Sequence, residues 1–277
     1  MDDQTLENMV HFYLYKSIIA NDEIPKKIYQ AWHTKHHPEK MRECVNRLKE
    51  QNPEFEHYLF DDMDCRDFIV THFDTSVVNA FDKLIPRSYK SDLWRYCVLY
   101  IHGGIYLDIK YECQNNFKFI DLIHREHFVL ERPIEWAPNR YGVYNALIIS
   151  KPNNPIFKNC IDRIVENVKN NYYGFNSLYP TGPGLLGDMV FNTIPSILFF
   201  DLMYDYYADT NSDRIIYDHR VILQNYPEYR YEQSCDPSFL LYDYKHVWQH
   251  GKIYRTDQLQ KTNLTTEEPT EVIHTTV

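Results

Sequence analysis

The stretch Ser91-Asp92-Leu93-Trp94-Arg95-Tyr96-Cys97-Val98-Leu99-Tyr100-Ile101-His102-Gly103-Gly104-Ile105-Tyr106-Leu107-Asp108 decides how this 277-residue chain is read. Apolar residues Leu93, Tyr96, Cys97 and Tyr100 recur at helical spacing, so residues 88–104 read as a helix, and two glycines supply its stop. Ile105-Tyr106-Leu107 then reads as a short buried strand that ends in Asp108. Asp92 and Arg95 are three residues apart and project from one helix face. Ligands of open α/β sheets bind beyond the carboxyl ends of strands, so the order helix, turn, strand, acid can bring one base and two acids to a sheet edge. Alone, Asp92–Arg95 is an ordinary surface ion pair, Gly103-Gly104 a helix terminator and Asp108 a turn residue. It is their order that carries information.

The flanks extend an α/β pattern. Ile24–Trp32 is a strand entered through Pro25. Pro38–Gln51 is a helix with Met41, Cys44, Val45 and Leu48 on one face. Phe55–Phe60 is a strand, and Asp61, Asp62 or Asp64 caps a helix that runs to about His72. Further strands are expected at 128–131 and 146–150, a helix at 155–170, and another after Thr181-Gly182-Pro183-Gly184. Residues 192–231 read as helical with a strand near 215–217, and 244–254 as a final strand or ordered tail. The expected domains are an N-terminal helical extension (1–23), one α/β domain (24–257) and a polar tail (258–277).

Composition excludes several classes. A net charge of −10 argues against nucleic acid as a partner. It also requires any anionic diphosphate ligand to find positive charge locally, from a metal or from a few basic side chains. Aromatic residues make up 16% of the chain but are spread along it, which reads as compositional bias rather than a sugar-binding surface. Six cysteines occur without a CxxC pair, which disfavours zinc and leaves reduced thiols as the expectation. The apolar run 9–20 carries His11 and Lys16 and is too short to span a bilayer. Asn263-Leu264-Thr265 is a sequon of a kind that arises by chance. Without a signal peptide or anchor, cytoplasmic residence is expected, in a host cell or virion if the chain is viral.

The quoted stretch resembles the core motif of DXD-type sugar transferases of glycosyltransferase family 32. That family includes mannosyltransferases that initiate fungal outer chains, and it is related to toxin glucosyltransferase domains. The resemblance continues through Ile24–Trp32, Asn145–Pro152, Thr181–Gly184 and, weakly, His246–His250. It implies a GT-A-type α/β fold, with a mixed, mainly parallel central sheet flanked by helices. It also implies a hexosyltransferase that takes a UDP- or GDP-linked sugar donor, acts on a glycan or glycoprotein acceptor and retains configuration. By the same resemblance Trp32 stacks on the base, Asp92 and Arg95 hold donor-sugar hydroxyls, and Asp108 serves ribose and metal. Asn145 lies near the sugar, Thr181 and Gly182 line the acceptor side, and His250 completes the metal or diphosphate site.

One departure stands out. Asp108-Ile109-Lys110 replaces Asp-x-Asp, so on a strand Lys110 occupies the place of the metal-binding acid. The implied Mn2+ or Mg2+ is therefore in question, and three readings are open. Lys110 neutralises the diphosphate in catalysis, beside Asp108 and Arg95; or Glu112 becomes the ligand; or the protein is a catalytically impaired nucleotide-sugar- or glycan-binding derivative. A glycoside hydrolase is disfavoured because nothing selects a carboxylate pair, and a dehydrogenase because no GxGxxG follows an early strand.

Overall fold

The computed structural model describes residues 24–134, 137–194 and 200–256. The expected extension 1–23, with its apolar run, and the tail 258–277, with its sequon, lie outside the described residues. Strand β1 (Lys27–Ala31) pairs in parallel with β2 (Glu56–Phe60) on one side and β3 (Gly104–Leu107) on the other. Helix α1 (Glu39–Gln51) joins the first two, and α2 (Asp62–His72), α3 (Thr75–Lys83) and α4 (Arg87–His102) precede β3. After β4 (Tyr111–Cys113), strands β5 (His127–Ile134) and β6 (Ala137–Ser150) form an antiparallel pair, with β6 against β3. Helices α5 (Pro155–Lys169) and α6 (Pro183–Thr193) follow.

The described sheet has nine strands in the order β2-β1-β3-β6-β5-β7-β8-β9-β4, where β7 is Leu202–Tyr207, β8 Ser212–Tyr217 and β9 Arg220–Asn225. The mixed α/β architecture flanked by helices is the expected one. Its parallel character, however, is concentrated in β2-β1-β3 and the β5–β7 pair, and the remaining pairings are antiparallel. In residues 192–231 the strand expected near 215–217 is present as β8, but it is the middle of a meander whose β7 and β9 take the place of the expected helical structure. The turn between β8 and β9 is built on Asp218 and His219, both at positive φ (46° and 60°). An Asp-His pair is a weaker hairpin signal than Asn-Gly. The chain closes with short helices α7 (Tyr229–Ser234), α8 (Phe239–Tyr242) and α9 (Tyr244–Gln249), so residues 244–249 are helical and not a strand. Tyr254 forms an isolated antiparallel bridge to Leu84, flanked by backbone bonds from Ile85 to Ile253 and from Arg255 to Lys83.

Strand β3 is buried on both faces, which is why its sequence does not alternate. Tyr106 joins the core under α2 to α6, whereas Ile105 and Leu107 join the core on the opposite face with Leu48 of α1. Helix α4 is buried on nearly every side, including at Asp92 and Arg95. At its end Gly103 takes φ +61° and Gly104 φ +99°; a Cβ at Gly103 would meet the Pro152 nitrogen at 2.6 Å, and one at Gly104 the Lys27 carbonyl at 2.7 Å. Only glycine fits either position. Asp61 caps α2 through a reciprocal pair of bonds with Asp64, and Pro183 opens α6 behind Gly182. Among the described residues no helix is long and apolar enough to cross a membrane.

Candidate active site

Parallel pairing of β1 and β3 in the register Tyr29↔Tyr106 places their carboxyl ends side by side, so Trp32 and Asp108 emerge at the same edge. β6 runs antiparallel to β3, and the Asp108 N–H donates to the Ala146 carbonyl (2.8 Å), which sets Asn145 beside Asp108. Trp32, Asp92, Arg95, Asp108, Lys110, Asn145 and Gly182 line one cavity of about 800 Å³. That volume suits a ligand of nucleotide-sugar size.

Asp92 and Arg95 are only 5% and 4% exposed, which excludes the surface ion pair. An Arg95 Nη2 lies 3.1 Å from Asp92 Oδ1, which also accepts from Asn145 Nδ2 (2.9 Å), while Oδ2 accepts from the Thr181 hydroxyl (2.7 Å). Arg95 further donates to the Asn145 carbonyl (2.5 Å) and to Ser91, and its guanidinium lies over the Tyr106 ring. Burial pushes the Asp92 carboxyl above its usual range, and Arg95 and Thr181 oppose that shift. Most of the polar capacity of this pair is committed to protein partners, so the helix-borne pair also braces the strand ends around it. The second lone pair of Asp92 Oδ2 has room because residue 182 is glycine: a Cβ there would lie 3.2 Å from that oxygen.

Asp108 sits on the cavity wall with its side chain 30% exposed. Its Oδ1 accepts from the Tyr106 hydroxyl (2.9 Å) and lies 3.8 Å from Arg95 Nη1. Burial keeps the Tyr106 phenol far above its ordinary pKa, so it remains a neutral donor. The buried Gln30 side chain donates to the Asp108 carbonyl (3.4 Å), and its Oε1 accepts from His57 Nε2 (2.8 Å), which fixes the strand end from below.

Residues 108–110 form a turn, closed by the Tyr111 N–H donating to the Asp108 carbonyl (3.2 Å), and not a continuous strand. Lys110 therefore reaches across to β8, where its Nζ donates to Asp213 Oδ2 (2.7 Å) and to the Tyr144 hydroxyl (3.0 Å). Asp213 accepts in addition from Arg230 of α7 (2.7 Å) and from Tyr204 (2.9 Å). Burial alone would raise the Asp213 carboxyl, but Lys110 and Arg230 hold it below the usual carboxylate range. Asp213 and Arg230 also line the cavity. Sequence reasoning missed both; a buried lysine requires an acidic partner, yet nothing local selects Asp213 among 39 acidic residues.

Three sequence candidates do not line the cavity. Thr181 is buried and bears on the site only through its bond to Asp92, because the turn at Gly182 and Pro183 faces the cavity in its place. Glu112 is on β4, paired with Arg47 of α1, and does not line the cavity. Strand β4 leaves the turn to pair with β9, and that carries Glu112 away from Asp108. His250 is exposed behind α9, where its Nδ1 bonds to the His246 carbonyl (2.7 Å). The donor set at the Asp-x-Lys turn does not fit a protein-held divalent cation. Asp108 is the turn's one carboxylate, and the nearby Asp213 is already engaged by two cations, Lys110 and Arg230, and by a phenol. Among the described residues no three His, Cys, Asp or Glu side chains gather as a metal site.

At the Trp32 end, Arg87 donates to Asp236 (2.6 Å), which lies 3.3 Å from His33. This contact ties the segment before α8 to the start of α4. Lys90, also lining the cavity, is pulled down to about 8 by burial.

Residues 38–129 match the family described as glycosyltransferase sugar-binding region containing DXD motif. An uncharacterised glycosyltransferase of Acanthamoeba polyphaga mimivirus is 29% identical over 52% of this chain and 55% of its own. The initiation-specific alpha-1,6-mannosyltransferase of Candida albicans is 24% identical over 63% of this chain and 54% of its own. The chain thus spans about half the length of these curated relatives. The solved PaToxG glycosyltransferase is 19% identical at a TM-score of 0.49, covering 70% of this chain and 81% of that one. The chain is thus similar to the sugar-binding region of DXD-motif glycosyltransferases over residues 38–129, and to glycosyltransferases of mimivirus and Candida albicans over 52% and 63% of its length.

Proposed function

We propose that this chain transfers a hexose from a nucleoside-diphosphate sugar to a glycan or protein acceptor with retention of configuration. The observation that carries this reading is the single cavity in which Trp32, the Asp92–Arg95 pair, Asn145 and Asp108 converge. In this reading the indole stacks on the base, a contact worth about 1–3 kcal/mol. The open side of Asp92, kept free by Gly182, takes a sugar hydroxyl, and Asp108 takes a ribose or sugar hydroxyl under the hold of Tyr106 and Arg95. The sugar–phosphate bond breaks as positive charge grows on the anomeric carbon and negative charge on the diphosphate. The acceptor oxygen attacks on the departing side, and its proton leaves to the phosphate oxygen. Fixed cations near that oxygen lower the barrier electrostatically.

The mannosyltransferase among the relatives makes GDP-mannose the first donor to try, ahead of the UDP-hexoses. The test is release of nucleoside diphosphate from a donor panel, with and without a panel of glycan acceptors. Acceptor-dependent release supports the transferase. Donor binding without any release supports instead a binding protein descended from the same fold, the reading that Lys110 in the second acid position brings in. Failure of every donor to bind refutes both.

A further inference from the structure

We propose that the donor diphosphate is held by a braced pair of side-chain cations, Lys110 and Arg230 on Asp213, in place of a divalent metal. The inference rests on the nucleotide-sugar reading and names what that site uses for the phosphates. Its first support is the occupancy of Asp213, whose Oδ2 accepts from both Lys110 and Arg230 (2.7 Å each) and whose Oδ1 accepts from Tyr204 (2.9 Å). The acid is also fixed from behind, because its backbone N–H donates to Asn225 Oδ1 (2.6 Å). Asp213 is thus a positioning residue for two cations, and a divalent ion approaching it would meet both of their positive charges.

The second support is what the cations retain. The Lys110 ammonium has three N–H groups, and Asp213 and Tyr144 take two. Rings of Tyr111, Tyr144 and Tyr229 lie 5.2–5.7 Å from Nζ and attract the ammonium. Arg230 is 43% exposed and bonds Asp213 through Nη2, which leaves the rest of its fork for a ligand. With one carboxylate between two cations, the cluster carries one net positive charge on the cavity wall. Guanidinium and ammonium groups bind phosphate oxygens through charge-assisted bonds. Held in place beforehand, they can stabilise a departing diphosphate without a metal.

Calorimetric titration of the full chain with UDP and with GDP, in a buffer containing EDTA and in one containing Mn2+, tests this. The expected result is binding in EDTA with an affinity within about threefold of that in Mn2+ for whichever nucleotide binds. Arg230→Gln, at a half-exposed position, is expected to weaken binding in EDTA by about tenfold or more and to reduce its salt dependence. Lys110→Met is expected to do the same, with thermal melts confirming that each variant is folded. Binding that requires Mn2+ overturns the inference while leaving the donor reading intact. Binding in EDTA that neither substitution weakens also overturns it. Absence of binding by either nucleotide in both buffers refutes the donor reading itself.

Discussion

Removing Asp213 should cost far more stability than removing Lys110, although the two form one ion pair. The Lys110 and Asp213 side chains are 9% and 5% exposed, so neither charge regains full hydration when its partner is lost. Breaking a buried pair by deleting one partner costs about 3–5 kcal/mol, because the other charge is stranded. In Asp213→Asn the stranded group is the Lys110 ammonium, left with the Tyr144 hydroxyl and three ring faces. Those faces return about 1 kcal/mol, so the expected loss is about 2–4 kcal/mol. In Lys110→Met, Asp213 keeps Arg230 and Tyr204, and the methionine packs among tyrosine rings. The expected loss there is about 1 kcal/mol. The double variant strands nothing and should fall short of the sum of the singles. Urea unfolding followed by circular dichroism at neutral pH measures all three. Equal costs, a Lys110→Met cost above that of Asp213→Asn, or strict additivity would refute the reasoning.

Four further expectations follow from the same geometry. Trp32→Ala should weaken nucleoside diphosphate binding by about 1–3 kcal/mol with little change in melting temperature; unchanged affinity removes the indole from the base site. Gly182→Ala crowds Asp92 Oδ2, so it should lower affinity for the donor sugar nucleotide about tenfold while sparing the bare nucleoside diphosphate, and equal losses for both would contradict the placing of the sugar. Gly103→Ala combines a positive φ with a 2.6 Å approach to Pro152 and should destabilise the fold by at least about 2 kcal/mol, read from the unfolding midpoint. Burial lowers His33 and His57 to about 4 and His127 to about 3; protons then bind the unfolded chain first, so their contribution to stability is complete above pH about 6.5 and is lost as pH falls toward about 4 for His33 and His57 and about 3 for His127, and His127→Gln should flatten that slope in unfolding titrations.

The core of the site was legible because it is local. Asp92, Arg95 and Asp108 lie within one helix–turn–strand, and the two glycines that set their relation stand in the same stretch. Trp32 was readable because parallel strands of one α/β unit end at the same edge. Asn145 and Thr181 were placed through resemblance, and the structure shows the contact that joins them, the Asp92 carboxylate. The Lys110 partner was illegible because it comes from β8, 103 positions along the chain, by a pairing that no periodicity specifies. Glu112 illustrates the opposite error: two-residue alternation holds only within a strand, and the chain turns between Asp108 and Tyr111. The meander of β7, β8 and β9 was hidden by tight turns on Asn211, Asp218 and His219, which adopt left-handed backbone without the glycine that normally announces it.

The seam at Gly103-Gly104 has a consequence for anyone who wishes to move this motif into another scaffold. The offset between the Arg95 guanidinium and the Asp108 carboxylate is gauged by two outside surfaces, the Lys27 carbonyl on one side and the Lys151–Pro152 backbone on the other. A transplanted copy of residues 91–108 alone would lack both stops and lose its calibration. The portable unit is larger: it must bring β1 and the end of β6 as its jig.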